Sequence, residues 1–239
     1  MSNHINTVKG WIYQNMNNLS FENFSYFCGN YHTKKINTFQ DLKSHNTKLI
    51  GDVFEAFCKL YLIHILKYQN VWFYNEIPIE LKQQLKLTKR DMGIDILAVN
   101  DDEICAIQCK YRKRNKKFTV INWKDLSTFY ALTSRTGPYD KIIVMTNADS
   151  IKRIGNKPDS EVLLNFNKFN KLSFNEWFNM CQGFNPQNIN QYNYDAFGQG
   201  KQLLSNESMD NNIPKLGTDE HKEYLRQKRL KYLESLTNK

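Results

Sequence analysis

The chain has 239 residues, enough for one domain of good size or one domain plus a tail. A hydrophobic fraction of 41% with 15 phenylalanines supports a globular core, while no apolar run approaches the roughly 18–20 residues of a bilayer span, which excludes a helical membrane protein. A formal net charge of +9 points to an anionic partner, and on charge alone nucleic acid and anionic membrane both qualify.

Five cysteines, Cys28, Cys58, Cys105, Cys109 and Cys181, are odd in number and form no CxxC pair. Most sit inside apolar segments and read as reduced core residues of an intracellular, soluble protein. The first residues, MSNHINTVKG, lack the apolar core of a signal peptide, in line with that expectation. Cys105 and Cys109 have no second Cys/His pair with which to bind zinc.

Residues 1–46 read as a helical extension packed on the core. Trp11, Ile12 and Met16 form one apolar stripe, and Phe21, Phe24, Tyr26 and Phe27 another. His4, His32, His45 and His64 show no mutual spacing that suggests a site. The first long helix is predicted over Leu49–Leu66, apolar around most of its circumference and so expected against a sheet. Glu55 lies in this apolar surround, where a carboxylate needs a cation or a hydrogen-bond partner. An i, i+4 pair with Lys59 on an exposed strip is the alternative reading.

Val71–Ile77 is β-branched and aromatic and predicts a strand, followed by Pro78 and a basic connection over Leu81–Lys89. The stretch RDMGIDILAVNDDEICAIQCK then predicts a hairpin, with strands Ile94–Val99 and Ile104–Lys110 and a turn at residues 100–103. That loop length places Val99 opposite Ile104, Leu97 opposite Ala106, and Asp95 opposite Gln108. Alternation puts Lys110 on the same face as Gln108. An acid, an amide and a cation converge on an otherwise apolar hairpin, where unpaired polar groups are costly. Asp91 is read as supporting the turn into the strand, with metal contact as its alternative.

After the hairpin, YRKRNKKF carries Arg112, Lys113, Arg114, Lys116 and Lys117. A charge run is usually a solvated face, but one leaving this strand end is placed to hold a phosphate backbone. Thr119–Thr133 reads as a helix ended by Gly137 and Pro138, and Lys141–Thr146 as a buried parallel strand. Residues 147–158 read as a loop, and Leu163–Phe166 and Leu172–Met180 as small closing elements around Trp177. From Gln182 the chain turns Asn-, Gln-, Gly- and Ser-rich, which predicts a flexible linker over 182–239 with a last charged helix after Thr218. GQGK at 198–201 lacks the spacing of a phosphate-binding loop.

The order helix with Glu55, strand, strand with Asp95, strand with Gln108 and Lys110, helix, strand resembles the PD-(D/E)xK, or restriction-endonuclease-like, superfamily in its Mrr-like branch. Glu55 in GDVFEAFCKLYL, Asp95 in DMGID and Gln108 with Lys110 in AIQCKY carry the resemblance. It implies an α/β fold: a mixed central sheet flanked by helices (αβββαβ), here a nuclease domain over 47–181. It further implies a magnesium-dependent DNA endonuclease in which manganese substitutes. Asp95 would be the central metal ligand, joined by Glu55, Gln108 and the carbonyl of Ile107, and Lys110 would serve the reacting water or phosphate. Gln108 stands where many relatives carry Glu, a replacement typical of the Mrr-like branch. Family members often act as dimers, and similar domains precede large helicases, so a homodimer and a helicase partner are implied beside DNA, and no membrane. A binding module that has lost catalysis and a partner-recruiting protein are the alternatives.

Overall fold

The computed structural model describes residues 2–31, 39–90, 93–101, 103–114, 118–153, 155 and 157–185, with side chains for all of these but 2–3 and 39–46. The chain divides into Met1–Phe184 and Asn185–Lys239, and the description concerns the first unit. Apart from residues 182–185, the predicted linker and last helix lie outside the described residues, as do Asp91, Lys116 and Lys117.

Three helices open the chain: α1 (Ser2–Gln14), α2 (Phe21–Gly29) and α3 (Phe39–His64). Ser20 caps α2 by accepting the Asn23 amide. α3 starts ten residues before the predicted Leu49. Strand β1 (Asn70–Phe73) is shorter than predicted. The Glu76 carboxylate accepts the Phe73 amide at 3.1 Å, and the chain closes into a 3-10 turn over Tyr74–Glu76. Helix α4 (Ile79–Gln84) falls largely in the predicted connection. The hairpin follows as β2 (Ile96–Asn100) and β3 (Glu103–Lys110).

The helix predicted over Thr119–Thr133 is a strand, a turn and a helix instead: β4 (Val120–Asn122), a 3-10 turn over Trp123–Leu126, and α5 (Ser127–Thr133). β-branched Val120 and Ile121 favour the extended chain, and Asp125 accepts the Asn122 amide at 3.1 Å, which stops the strand there. β5 (Lys141–Thr146) is the predicted buried strand. The predicted loop contains β6 (Ser150–Lys152), and β7 (Glu161–Leu164) stands where a small closing element was expected. Helices α6 (Phe166–Phe169) and α7 (Phe174–Met180) complete the unit.

The main sheet has the order β1-β2-β3-β5-β7, antiparallel across β1, β2 and β3 and parallel across β3, β5 and β7. β4 and β6 form a separate parallel pair. The hairpin register is the expected one, with Leu97 opposite Ala106 and Val99 opposite Ile104. One core layer gathers Leu97, Ala106, Ile142 and Val144 with Ile121, Leu126, Phe129 and Ile151 from the β4–α5 region and β6. The opposite layer is aromatic. Phe57 of α3 meets Phe21, Phe24, Phe169 and Trp177 with ring centroids 4.8–5.7 Å apart. This mixed five-stranded sheet flanked by helices is a restriction-endonuclease-like architecture.

Candidate active site

Asp95 enters β2 through a backbone device. Gly93 holds φ at 123°, in the left-handed region, and a Cβ there would lie 3.2 Å from the Phe129 amide nitrogen of α5. The Asp95 amide then donates to the Ile107 carbonyl at 2.9 Å, and the Asp95 carbonyl accepts the Tyr74 amide at 2.9 Å. Asp95 is thereby fixed between the end of β1 and the middle of β3, one step beyond the Ile96–Ile107 pair and facing Gln108.

The side chains follow. Asp95 Oδ2 accepts the Cys109 amide at 2.6 Å and the Gln108 side-chain amide as well. Gln108 is 6% exposed, so its amide is committed to this carboxylate rather than to solvent. Ile107 is fully buried, and its carbonyl carries the Asp95 bond with one lone pair left over. Glu55 arrives from α3. Its carboxylate and that of Asp95 both act on the same two thiols, Cys58 of α3 and Cys109 of β3, which share a hydrogen bond. Burial pushes both thiols up, and the two nearby negative charges add to it. The charges of Glu55 and Asp95 are therefore both felt by one thiol pair shared between α3 and β3.

Lys110 ends β3, half-buried, with its carbonyl accepting the Thr146 hydroxyl at 2.6 Å. Its positive charge lies near enough to act on Asp125. Burial alone would raise that carboxyl, but the Asn122 amide, Arg112 and Lys110 outweigh it and hold Asp125 below the usual carboxylate range. In the basic segment, Arg112 pairs with Asp125 at 2.9 Å, and Arg114 pairs with Asp149 at 3.0 Å while lying 3.8 Å over the Phe166 ring. Lys113 is exposed. Lys59, the i, i+4 alternative for Glu55, pairs with Glu76 at 2.5 Å and lies 4.4 Å over the Phe73 ring.

Sequence reasoning missed the residues that grip the end of β3. Asn147 is fully buried: its Oδ1 accepts the Arg112 amide at 2.7 Å, and its Nδ2 donates to the Arg112 carbonyl and to Ser25 Oγ. Asp149 accepts the Thr119 amide at 2.6 Å as well as Arg114. Tyr111 donates its hydroxyl to the Ser25 carbonyl at 2.8 Å. The available signal was TNAD, an abrupt polar run directly after the apolar KIIVMT.

Residues 64–170 match the family model of a restriction endonuclease. The match is consistent with a restriction-endonuclease-like domain of the Mrr-like kind. It takes in Asp95, Ile107, Gln108 and Lys110, while Glu55, Ser25 and helices α1 and α2 lie before it. A restriction endonuclease domain points to a nuclease, and such domains generally use divalent metal ions. No curated protein and no solved structure matches the chain. No helix among the described residues is long and apolar enough to cross a membrane.

The donor set suits a hard cation. Among the described residues no group of three or more His, Cys, Asp and Glu side chains gathers as a metal site. Asp95 lies against the Gln108 amide and the Ile107 carbonyl, and the charge of Glu55 acts on the same thiol, Cys109, as that of Asp95. Oxygen donors with few charges fit a hard divalent cation such as magnesium or manganese, which retains several waters.

Proposed function

We propose that the protein is a metal-dependent endodeoxyribonuclease that hydrolyses phosphodiester bonds in DNA. The observation that carries this reading is the meeting of Asp95, Gln108 and the Cys109 amide at the head of β2, with Glu55 beside it and Lys110 on the face of Gln108. Asp95 and Glu55 would hold magnesium or manganese, with Gln108 and the Ile107 carbonyl as neutral oxygen donors. Bound there, the cation would acidify the attacking water and neutralise charge on the phosphate.

The chain's own groups do the rest. The Cys109 amide and the Gln108 side chain fix Asp95 Oδ2, so the carboxylate is oriented before any ligand arrives. Lys110 supplies a compact positive charge to orient the water or to stabilise the charge growing on the phosphoryl oxygens. Thr146 holds the Lys110 carbonyl and so fixes the backbone from which the lysine side chain springs. Arg112, Lys113, Arg114, Lys116 and Lys117 would attract the phosphate backbone, with Arg112 and Arg114 ordered by their acid partners and Lys113 facing solvent. The homodimer and the helicase partner implied by the resemblance stay outside this proposal.

The test is incubation with supercoiled plasmid in magnesium, in manganese and in EDTA, beside Asp95→Ala. Nicking or linearisation that needs the metal and disappears in the variant supports the reading. Undiminished cleavage by Asp95→Ala would sink it.

A further inference from the structure

Two large apolar side chains stand in water beside the most basic stretch of the chain. Phe118 is 62% exposed and Val120 is 40% exposed. From Lys110 to Lys124 the sequence carries seven basic residues and no acidic one.

The fold explains why they point outward. β4 runs parallel to β6, with Val120 paired to Ser150, Ile121 to Ile151 and Asn122 to Lys152. Ile121 and Ile151 face the core, so alternation turns Val120, Asn122 and Lys152 outward. The Asp149 amide donates to the Thr119 carbonyl at 2.8 Å, which extends the ladder one step, and exposed Phe118 stands directly before it. Exposed Lys152 pairs with Asn122 on this ribbon, and exposed Lys124 follows two residues after Asn122.

The ribbon stands at the end of the sheet where the candidate site lies. Asp149, bonded to Thr119, comes three residues after Thr146, and Thr146 bonds the Lys110 carbonyl. Asp125, three residues after Asn122, lies within the field of the Lys110 ammonium.

We propose that the exposed segment leading into β4, centred on Phe118, stacks on an unpaired base of the bound DNA, so that the substrate carries a single-stranded segment beside the scissile phosphate. This rests on the nuclease reading and names its substrate class. Cations alone bind phosphates and need no aromatic group. A duplex keeps its base faces stacked inside, whereas an unpaired base offers a π-face of any sequence to an aromatic ring. An exposed phenylalanine in a basic field matches the second kind of partner, with charge complementarity supplying attraction and the ring supplying the preference for single strands.

The experiment is fluorescence anisotropy of a labelled oligothymidylate and of a duplex of equal length, both in EDTA, with wild type, Phe118→Ala and Phe118→Tyr. Phe118 is mostly solvated, so alanine removes little from the core. Phe118→Ala is expected to weaken single-strand binding about 5- to 150-fold, the value of one base–aromatic stack. Duplex binding should stay near wild type, and Phe118→Tyr should retain single-strand affinity. Unchanged single-strand binding by Phe118→Ala overturns the proposal. So does an equal loss on both oligonucleotides, or binding to vesicles of anionic phospholipid with no binding to either oligonucleotide. Because binding is read without cleavage, a wild type that grips single strands through Phe118 and cuts nothing refutes the nuclease reading alone. Metal-dependent cutting with an indifferent Phe118 refutes only this inference.

Discussion

The side-chain amide of Asn147 donates to the hydroxyl of Ser25 at 3.0 Å, joining residues 122 apart in the chain. One residue belongs to the stretch that matches the restriction endonuclease family and the other to a helix in front of it. Asn147 also holds both backbone groups of Arg112, two residues past Lys110. Asn147→Ala leaves these buried groups without partners and should cost about 2–4 kcal/mol, at about 1 kcal/mol or more per lost bond. Ser25→Ala loses one of them and should cost about 1 kcal/mol. Urea unfolding of the two variants reads both values, and a larger cost for Ser25→Ala would contradict this account.

Catalysis should depend on Asp95 and Lys110 in different ways. Asp95→Asn keeps the shape but removes the charge, and plasmid cleavage should fall at least about a hundredfold. Lys110→Ala should fall comparably while DNA binding at low salt persists, since one cation among many is lost. A gel shift beside the cleavage assay separates the two effects. Lys110→Ala that cuts normally would remove lysine from the proposed chemistry.

Gly29 ends α2 directly under Tyr111. A Cβ at this position would lie 2.7 Å from the Tyr111 hydroxyl oxygen, which is already bonded to the Ser25 carbonyl. Gly→Ala in a helix ordinarily gains up to about 1 kcal/mol. Gly29→Ala should show no gain, or a loss, in the natural chain. In a Tyr111→Phe background, where the crowding atom is gone, the ordinary gain should return. A double-mutant cycle by thermal unfolding measures the difference.

Acid should weaken the far end of the hairpin. The Lys141 ammonium and the Tyr68 hydroxyl hold the ionised Glu103 side chain, so its carboxyl sits below the usual range in the folded chain. A depressed folded pKa means that the contribution is present above the unfolded carboxyl's value of about 4.3 and is lost as pH falls through the folded one. The pair is partly exposed, which limits it to about 0.2–1 kcal/mol. Stability measured from pH 6 downward should fall less steeply for Glu103→Gln than for wild type.

The thiols should be silent in the folded state. All five cysteines are buried and unpaired by disulfides. Burial pushes Cys105 up to about 12 and Cys181 up to about 11, and raises Cys28, Cys58 and Cys109 as well. Thiolate is the reactive form, so a disulfide reagent at pH 8 should titrate none of them rapidly before unfolding and all five afterwards. Rapid native labelling would mean that the region of α3 and β3 opens easily.

The hairpin was legible because its turn is short and polar and its strands alternate, which fixes the register and sets Asp95 against Gln108. Glu55 was ambiguous on helical pattern, and the fold shows that Lys59, its i, i+4 neighbour, pairs with Glu76. Asn147 and Asp149 gave only a polar run after KIIVMT, and their roles were hidden for a physical reason. Buried polar residues look like loop residues until the backbone groups they satisfy are known, and those belong to Arg112 and Thr119. β6 and β7 are three and four residues long, too short to show a period. Ser25 sat unnoticed within an aromatic run whose rings supplied the louder signal.

β3 belongs to two ladders of opposite sense. Residues 103–107 pair with β2, and residues 105–110 pair with β5, which sets Gln108 against Val144 and Lys110 against Thr146. The alignment of Gln108 and Lys110 is thus written twice, and the second copy does not pass through the turn at Asp101. Residues added to that turn would loop out into solvent and leave the lysine where it stands. A one-residue slip of β3 along β5 would exchange its two faces and break both ladders at once. Over the history of such a sequence, length variation is cheap at the hairpin tip and forbidden along β5.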